Sequence, residues 1–248
     1  VTESPPRTVA ERPRRRARQR NRGAVAFLRD LAVIVVVALL ASFLIKTFLI
    51  RSFFIPSESM KNTLQVNDRI LVNELVPGLI PLQRGDVVVF RDPGDWLPPA
   101  APAATGPVAA AADWVLSLVG LSTTDSNDHL IKRVIGLPGD HVKCCTPLGQ
   151  LSVNGTPIEE PYVLKQEGTS AVSGTSFNIT VPKNDLWVMG DNRYDSKDSR
   201  YNTDTPTHGF VPEKDVVGRA FVISWPITRW TFLSDYPETF TGLSAATG

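Results

Sequence analysis

Hydrophobic positions along this chain fall into one long block and then a succession of short ones. The block opens at Leu31 with Leu-Ala-Val-Ile-Val-Val-Val-Ala-Leu-Leu-Ala-Ser-Phe-Leu-Ile, ends at Ile45, and resumes after Lys46 with Thr47, Phe48, Leu49 and Ile50. From Leu31 to Ile50 it covers about 20 residues, the length a helix needs to cross a bilayer core. The expected element is a single transmembrane helix within residues 24–50, with Lys46 near its end and able to reach the headgroups. No second apolar run of that length follows.

Beyond the block the period changes from helical to strand-like. Arg69–Asn73 alternates, Val87–Phe90 is a short continuous apolar run, and His129–Ile135 is apolar apart from Lys132 and Arg133. Shorter runs follow at His141–Lys143, Leu151–Val153, Phe177–Val181 and Leu186–Gly190, with a long one at Val216–Trp225. Gly85-Asp86, Gly136-Leu137-Pro138-Gly139-Asp140 and Asn154-Gly155 punctuate them, the last being a hairpin signal. Many short strands with Gly/Pro turns predict a mostly β chain, an N-terminal helix followed by an antiparallel sheet domain over 51–225 with a smaller β subdomain at about 140–182. Residues 226–248 read as a C-terminal tail.

Charge then orients the helix. The net charge of +1 hides a cluster at Arg7, Arg12, Arg14, Arg15, Arg16, Arg18, Arg20 and Arg22, in a polar segment, 1–23, expected to be disordered. An arginine cluster has a nucleic-acid reading, but beside an apolar span it fits the cytoplasmic side of a membrane, which leaves everything after Ile50 outside. A cleaved signal peptide is a poorer fit, because the apolar run is too long and Arg51-Ser52-Phe53-Phe54, not Ala-x-Ala, follows it. Residues 92–128 differ in composition and read as a loop insertion: Pro98–Ala112 is Ala/Pro-rich, as in a mobile surface loop, and the Trp114–Val119 piece is apolar enough either to touch a membrane surface or to pack on the domain. The two cysteines, Cys144 and Cys145, are adjacent; they have no zinc-site spacing and read as small half-buried thiols rather than a disulfide.

Three segments carry candidate chemistry. Phe53-Phe54-Ile55-Pro56-Ser57-Glu58-Ser59-Met60 places two serines two apart after a proline, so an extended chain turns both to one face. By itself such a pair is commonly a turn or a helix cap, since serine is a nucleophile only beside a base. Lys132 is the candidate base: buried among Leu130, Ile131, Val134 and Ile135, its amine would lose its proton near neutrality. Pattern alone favours Lys132 and Arg133 lying on an exposed strand face. Gly190-Asp191-Asn192-Arg193-Tyr194-Asp195-Ser196-Lys197-Asp198-Ser199-Arg200 is a dense polar loop after an apolar strand. It lacks the order of a calcium loop, and no Gly-x-Ser-x-Gly elbow surrounds Ser59, so a Ser-Lys pair fits better than a Ser-His-Asp triad.

Taken in order, the apolar helix, Ile-Pro-Ser-Glu-Ser-Met, Gly-Asp-Val-Val-Val-Phe, Ile-Lys-Arg-Val-Ile-Gly-Leu-Pro-Gly-Asp and Gly-Asp-Asn-Arg-Tyr-Asp-Ser-Lys-Asp-Ser-Arg closely resemble bacterial type I signal peptidase. The resemblance runs from the helix to about Trp225, and the long insertion is similar to high-GC Gram-positive members. It implies a membrane-bound Ser-Lys endopeptidase without cofactor or metal, whose partners are exported preproteins and the lipid bilayer, not nucleic acid. It further implies Ser59 as nucleophile, Lys132 as general base, and Ser57 with the Ser59 N–H as oxyanion hole. Ser196 would orient the lysine, and Asp198 and Arg200 would support the site. Phe53, Ile55, Pro56, Leu64 and Ile131 match positions lining the family's shallow pockets, which explain its preference for Ala at the first and third residues before the cut. Two departures stand out: Asn62 where the family often has proline, and Tyr194-Asp195 where Asp-Asn is commoner.

Overall fold

The computed structural model describes residues 26–40, 42, 49–97 and 128–243. They belong to two compact units, one within Val1–Thr47 and one over Phe48–Gly248. The first contributes an exposed helix at 26–40. Among the described residues no helix is long and apolar enough to cross a membrane. Residues 24–25, 41 and 43–48 of the expected span lie outside the described residues, as do the arginine-rich segment 1–23 and the Trp114–Val119 piece of the insertion.

The second unit is mostly antiparallel β-structure, as the alternation predicts. Its first strands are β1 (Ile50–Phe54), β2 (Arg69–Asn73), β3 (Val87–Arg91) and β4 (His129–Gly136). Later come β5 (His141–Cys144), β6 (Leu151–Val153), β7 (Thr156–Pro157), β8 (Phe177–Thr180), β9 (Asp185–Met189), β10 (Val211–Pro212), β11 (Val216–Trp225) and β12 (Thr231–Phe232). Among the described residues the larger sheet has eight strands in the order β1-β2-β11-β3-β4-β9-β10, with β12 added to β11. The smaller sheet, β7-β6-β5-β8, spans the stretch read as a subdomain.

β3 explains why a continuous apolar run sits at the centre. Val88 and Phe90 pack into one core with Leu130, Val134, Val188 and Trp96, while Val87 and Val89 pack into another with Phe53, Ile55, Met60 and Leu64. Both faces of the strand are covered, so neither face takes polar residues. The Asn154-Gly155 turn joins β6 to β7 with both residues at positive φ, 52° and 81°, as a two-residue hairpin demands. A third core, around Val142, Leu151, Val153, Tyr162 and Trp187, fastens the small sheet to the large one.

Two expectations are corrected here. Residues 226–243 are not a tail: β12 pairs with β11, Arg229 pairs with buried Asp68 at 2.9 Å, and Tyr236, Phe240 and Leu243 pack against the third core. The aromatic content of that stretch gives it apolar area to bury, which a solvated tail lacks. Cys144 and Cys145 are joined to each other rather than left as thiols.

The sheets meet at Gly136, where a Cβ would stand 2.8 Å from Val142 Cγ2 and 2.9 Å from Val181 Cγ2. Both neighbours are branched side chains held in a close-packed core, with little room to yield. Gly136→Ala is expected to destabilise the fold by about 1–3 kcal/mol, read as a lowered urea midpoint at unchanged m-value.

Candidate active site

The serine turn follows directly from β1. Ile55 extends that strand's pairing, its N–H donating to Asp68 O at 2.9 Å while its own carbonyl accepts from Asn67 N–H at 3.0 Å. From Ser57 the chain leaves the strand and turns, so the two serines do not lie on an extended segment as the sequence suggested. Their hydroxyls still converge, with Ser57 Oγ 3.3 Å from Ser59 Oγ, because the turn, closed by Lys61 N–H to Glu58 O at 2.8 Å, folds them together. Met60 and Leu64 anchor the turn from beneath, both buried in the core. Asn62, where proline is common in the family it resembles, has φ 98°, a value closed to proline, and its side chain donates to Tyr162 O at 2.9 Å.

Lys132 lies mid-way along β4 and is only 4% exposed. Its Nζ is 2.8 Å from Ser59 Oγ and 3.0 Å from Ile131 O. Burial lowers its pKa from 10.5 to about 8; the charges of Asp198 and Asp191 pull the other way, and Arg200 adds to the lowering. At neutral pH a usable fraction of the amine is therefore unprotonated, within reach of a serine hydroxyl.

The 190–200 loop is tied to this pair by its backbone. Asn192 N–H donates to Ser59 O at 3.1 Å and Asn192 Nδ2 to Glu58 O at 3.2 Å. Gly190 must be glycine, since a Cβ there would collide with Ser196 Oγ and Ser59 O. Asp198 accepts the Gly190 N–H at 2.9 Å and takes Arg200 in a bidentate pair of 2.8 and 2.7 Å. Arg200 goes on to Ser173 Oγ and Arg193 O. Ser196 is buried against Gly190, but its hydroxyl has no hydrogen-bond partner among the described residues and does not hold the lysine amine here. Tyr194 donates to Ala171 O at 2.8 Å, and Asp195 borders the cleft beside Ser59.

That cleft has a volume of about 550 Å³ and is bordered by Phe53, Ile55, Pro56, Ser57, Ser59, Ile131 and Lys132. Leu64 differs: it is fully buried in the core under the turn and does not border the cleft. Sequence reasoning missed Met60, Trp96 and Leu97, which do border it. It also missed Arg133, whose neighbour in the strand drew the attention. Arg133 is wholly buried and binds Asp191 through 2.9 and 2.7 Å contacts, with further bonds to Thr63 Oγ1, Gly85 O and Ser234 O. Arg193 and Glu160 form a second missed pair at 3.0 and 2.6 Å, with Tyr162 donating to the same carboxylate at 2.9 Å. The available signal was an arginine inside an apolar strand together with a loop rich in carboxylates. Among the described residues no three His, Cys, Asp or Glu side chains gather as metal ligands.

Asp191→Ala strands the Arg133 guanidinium in the interior without its carboxylate. We expect a loss of about 3–5 kcal/mol in urea unfolding, with a smaller loss when Arg133→Met is added, because the stranded charge is then gone.

Comparison with known proteins identifies the relatives of this chain. The family model described as signal peptidase, peptidase S26, matches residues 28–225. Signal peptidase I of Mycobacterium tuberculosis is 40% identical over 222 residues, covering 82% of this chain and 74% of that one. The probable signal peptidase I of Mycobacterium leprae is 36% identical over 225 residues, covering 81% and 77%. Signal peptidase I of Pseudomonas aeruginosa is 32% identical over 245 residues, covering 82% and 74%. A match over four-fifths of the chain, at this identity, places it among them: the chain belongs to the signal peptidase family, peptidase S26.

Proposed function

We propose that the chain is a membrane-bound serine endopeptidase that removes signal peptides from exported preproteins, cutting after Ala-x-Ala. The observation that carries this reading is a buried lysine amine 2.8 Å from a serine hydroxyl, in a chain of the signal peptidase family. In the reaction the neutral Lys132 amine takes the proton of Ser59 as its Oγ attacks the scissile carbonyl. The resulting oxyanion is met by the Ser57 hydroxyl and the Ser59 backbone N–H, donors fixed before charge develops. Collapse releases the mature amino terminus, which takes its proton back from the Lys132 ammonium, and leaves an ester on Ser59. A water, deprotonated by the same amine, then hydrolyses the ester.

The sheet supports a way of presenting the substrate. β4 pairs with β9 only from Arg133 onward, so the Leu130–Lys132 stretch has β3 on one side and the cleft on the other. An extended peptide fits there as an added strand, with backbone hydrogen bonds supplying register. Phe53, Ile55, Pro56 and Ile131 then form the shallow apolar face for the small residues first and third before the cut. In this reading Ser196, whose hydroxyl has no partner among the described residues, takes up the lysine amine once it moves from Ser59. Asp198 and Arg200 hold the loop and do not react.

The apolar run within 24–50 is the anchor in this reading, with 1–23 cytoplasmic and the β domain outside. Signal peptides leave their apolar segment in the same bilayer, so tethering raises the effective concentration of the cut site.

The test is cleavage of a preprotein bearing Ala-x-Ala by the full chain in detergent with phospholipid. Ser59→Ala and Lys132→Ala are each expected to lower kcat by at least about a thousandfold, and Lys132→Arg equally, since guanidinium stays protonated. Equal cutting by wild type and Lys132→Ala would remove the lysine from the mechanism. The pH profile has a definite sign: Lys132 acts only when neutral, so kcat/KM should level off above its pKa of about 8. Below that pH it should fall about tenfold per unit.

A further inference from the structure

The cleft has a second wall that the catalytic reading leaves unused. Along β4 successive side chains face opposite ways, so Ile131 lies on one side while Leu130 lies on the other. Ile131 packs with the Phe53 and Ile55 core, whereas Leu130 shares a core with Trp96, against which Leu97 also packs. Both sets border the same cleft as Ser59 and Lys132.

The Trp96–Leu97 wall is held in place by one carboxylate. Asp92 Oδ1 accepts the backbone N–H groups of Gly94 and Trp96, and Oδ2 that of Leu97, each at 3.0 Å. The Asp92 N–H in turn donates to Asp128 O at 3.2 Å, which ties the two ends of the insertion together. Trp96 meets Phe90 edge-on, with ring centroids 5.8 Å apart and planes at 85°, and is 2% exposed, whereas Leu97 is half-buried. A fixed indole backing a partly exposed leucine is a preformed apolar surface, ready to be covered by another side chain without reordering.

What covers it follows from the alternation, given the peptidase reading above on which this inference rests. In an extended peptide beside β4, the first and third residues before the cut face the Ile131 side, so the second faces Leu130, Trp96 and Leu97. We propose that Trp96 and Leu97 are specificity-determining residues for the second residue before the cut, selecting a large apolar side chain at the middle of Ala-x-Ala. A leucine there buries apolar area on both partners. An aspartate would lose water against the apolar side chains of that wall, with little apolar area buried in return.

The experiment measures kcat/KM of the full chain, in detergent with phospholipid, on three forms of one preprotein with Leu, Ser or Asp at the middle position. Wild type is expected to prefer Leu over Ser by about fivefold or more, and to cut the Asp form more slowly still. Leu97→Ser should bring the Leu-to-Ser ratio close to one, and Leu97→Met should keep it, with the change lying mainly in KM. Cutting of all three forms at equal rates by wild type would overturn the inference and leave the peptidase reading intact. A preference that persists undiminished in Leu97→Ser would overturn the assignment to this wall. No cutting of any form by folded wild type would overturn the peptidase reading itself, and the specificity wall with it.

Discussion

A buried amine kept partly unprotonated is the constraint on which the rest of this structure depends. Lys132 sits in a sheet interior, within electrostatic range of Asp198 and Asp191, either of which would hold its proton if free to do so. Neither carboxylate is free. Asp198 is bidentate to Arg200 and Asp191 is bidentate to Arg133, with both oxygens of each engaged. The arginines thus engage both acids, and burial outweighs the pull these carboxylates still exert on the Lys132 pKa. Guanidinium suits this role because it stays charged at any relevant pH and matches a carboxylate edge to edge.

The same pairs fix geometry as well as charge. Asp198 accepts the N–H of Gly190, Arg193 donates to the carbonyl of Gly190, and Asn192 grips the backbone of the serine turn. Ser59, the strand carrying Lys132 and the polar loop are therefore one hydrogen-bonded body. Buried ion pairs of this kind contribute little net stability compared with apolar side chains of equal volume. What they contribute here is placement: Ser59 Oγ and Lys132 Nζ come from residues 73 apart in sequence and meet at 2.8 Å.

Segments outside the motifs turn out to serve the same body. Ser234, in the C-terminal stretch read as a tail, supplies a carbonyl to Arg133, and Tyr162, in the loop between β7 and β8, covers that guanidinium at 4.1 Å from its ring centroid. Tyr162 O also holds Asn62 in the positive-φ position at the base of the serine turn. Asp92 performs a comparable service at the base of the insertion, ordering the backbone up to Leu97.

The sequence by itself determined the strand pattern, since period-two alternation and Gly/Pro turns report which side of a sheet each residue faces. It marked β3 as a continuous apolar run, β11 as the long strand and Asn154-Gly155 as a hairpin, because those features rest on a few neighbouring residues. It also offered Ser59 and Lys132 as candidates, a lysine in an apolar strand being costly to bury unless it is paired or loses its charge. Only the tertiary structure decided that Arg133, next in the same strand, is as deeply buried, because that depends on Asp191 arriving from 58 residues away. It alone decided that Leu64 belongs to the core, that Ser196 does not hold the amine in this arrangement, and that residues 226–243 fold back on the domain. Those outcomes turn on partners supplied across the fold, and a linear pattern carries no record of which distant group will neutralise a charge or cover a side chain.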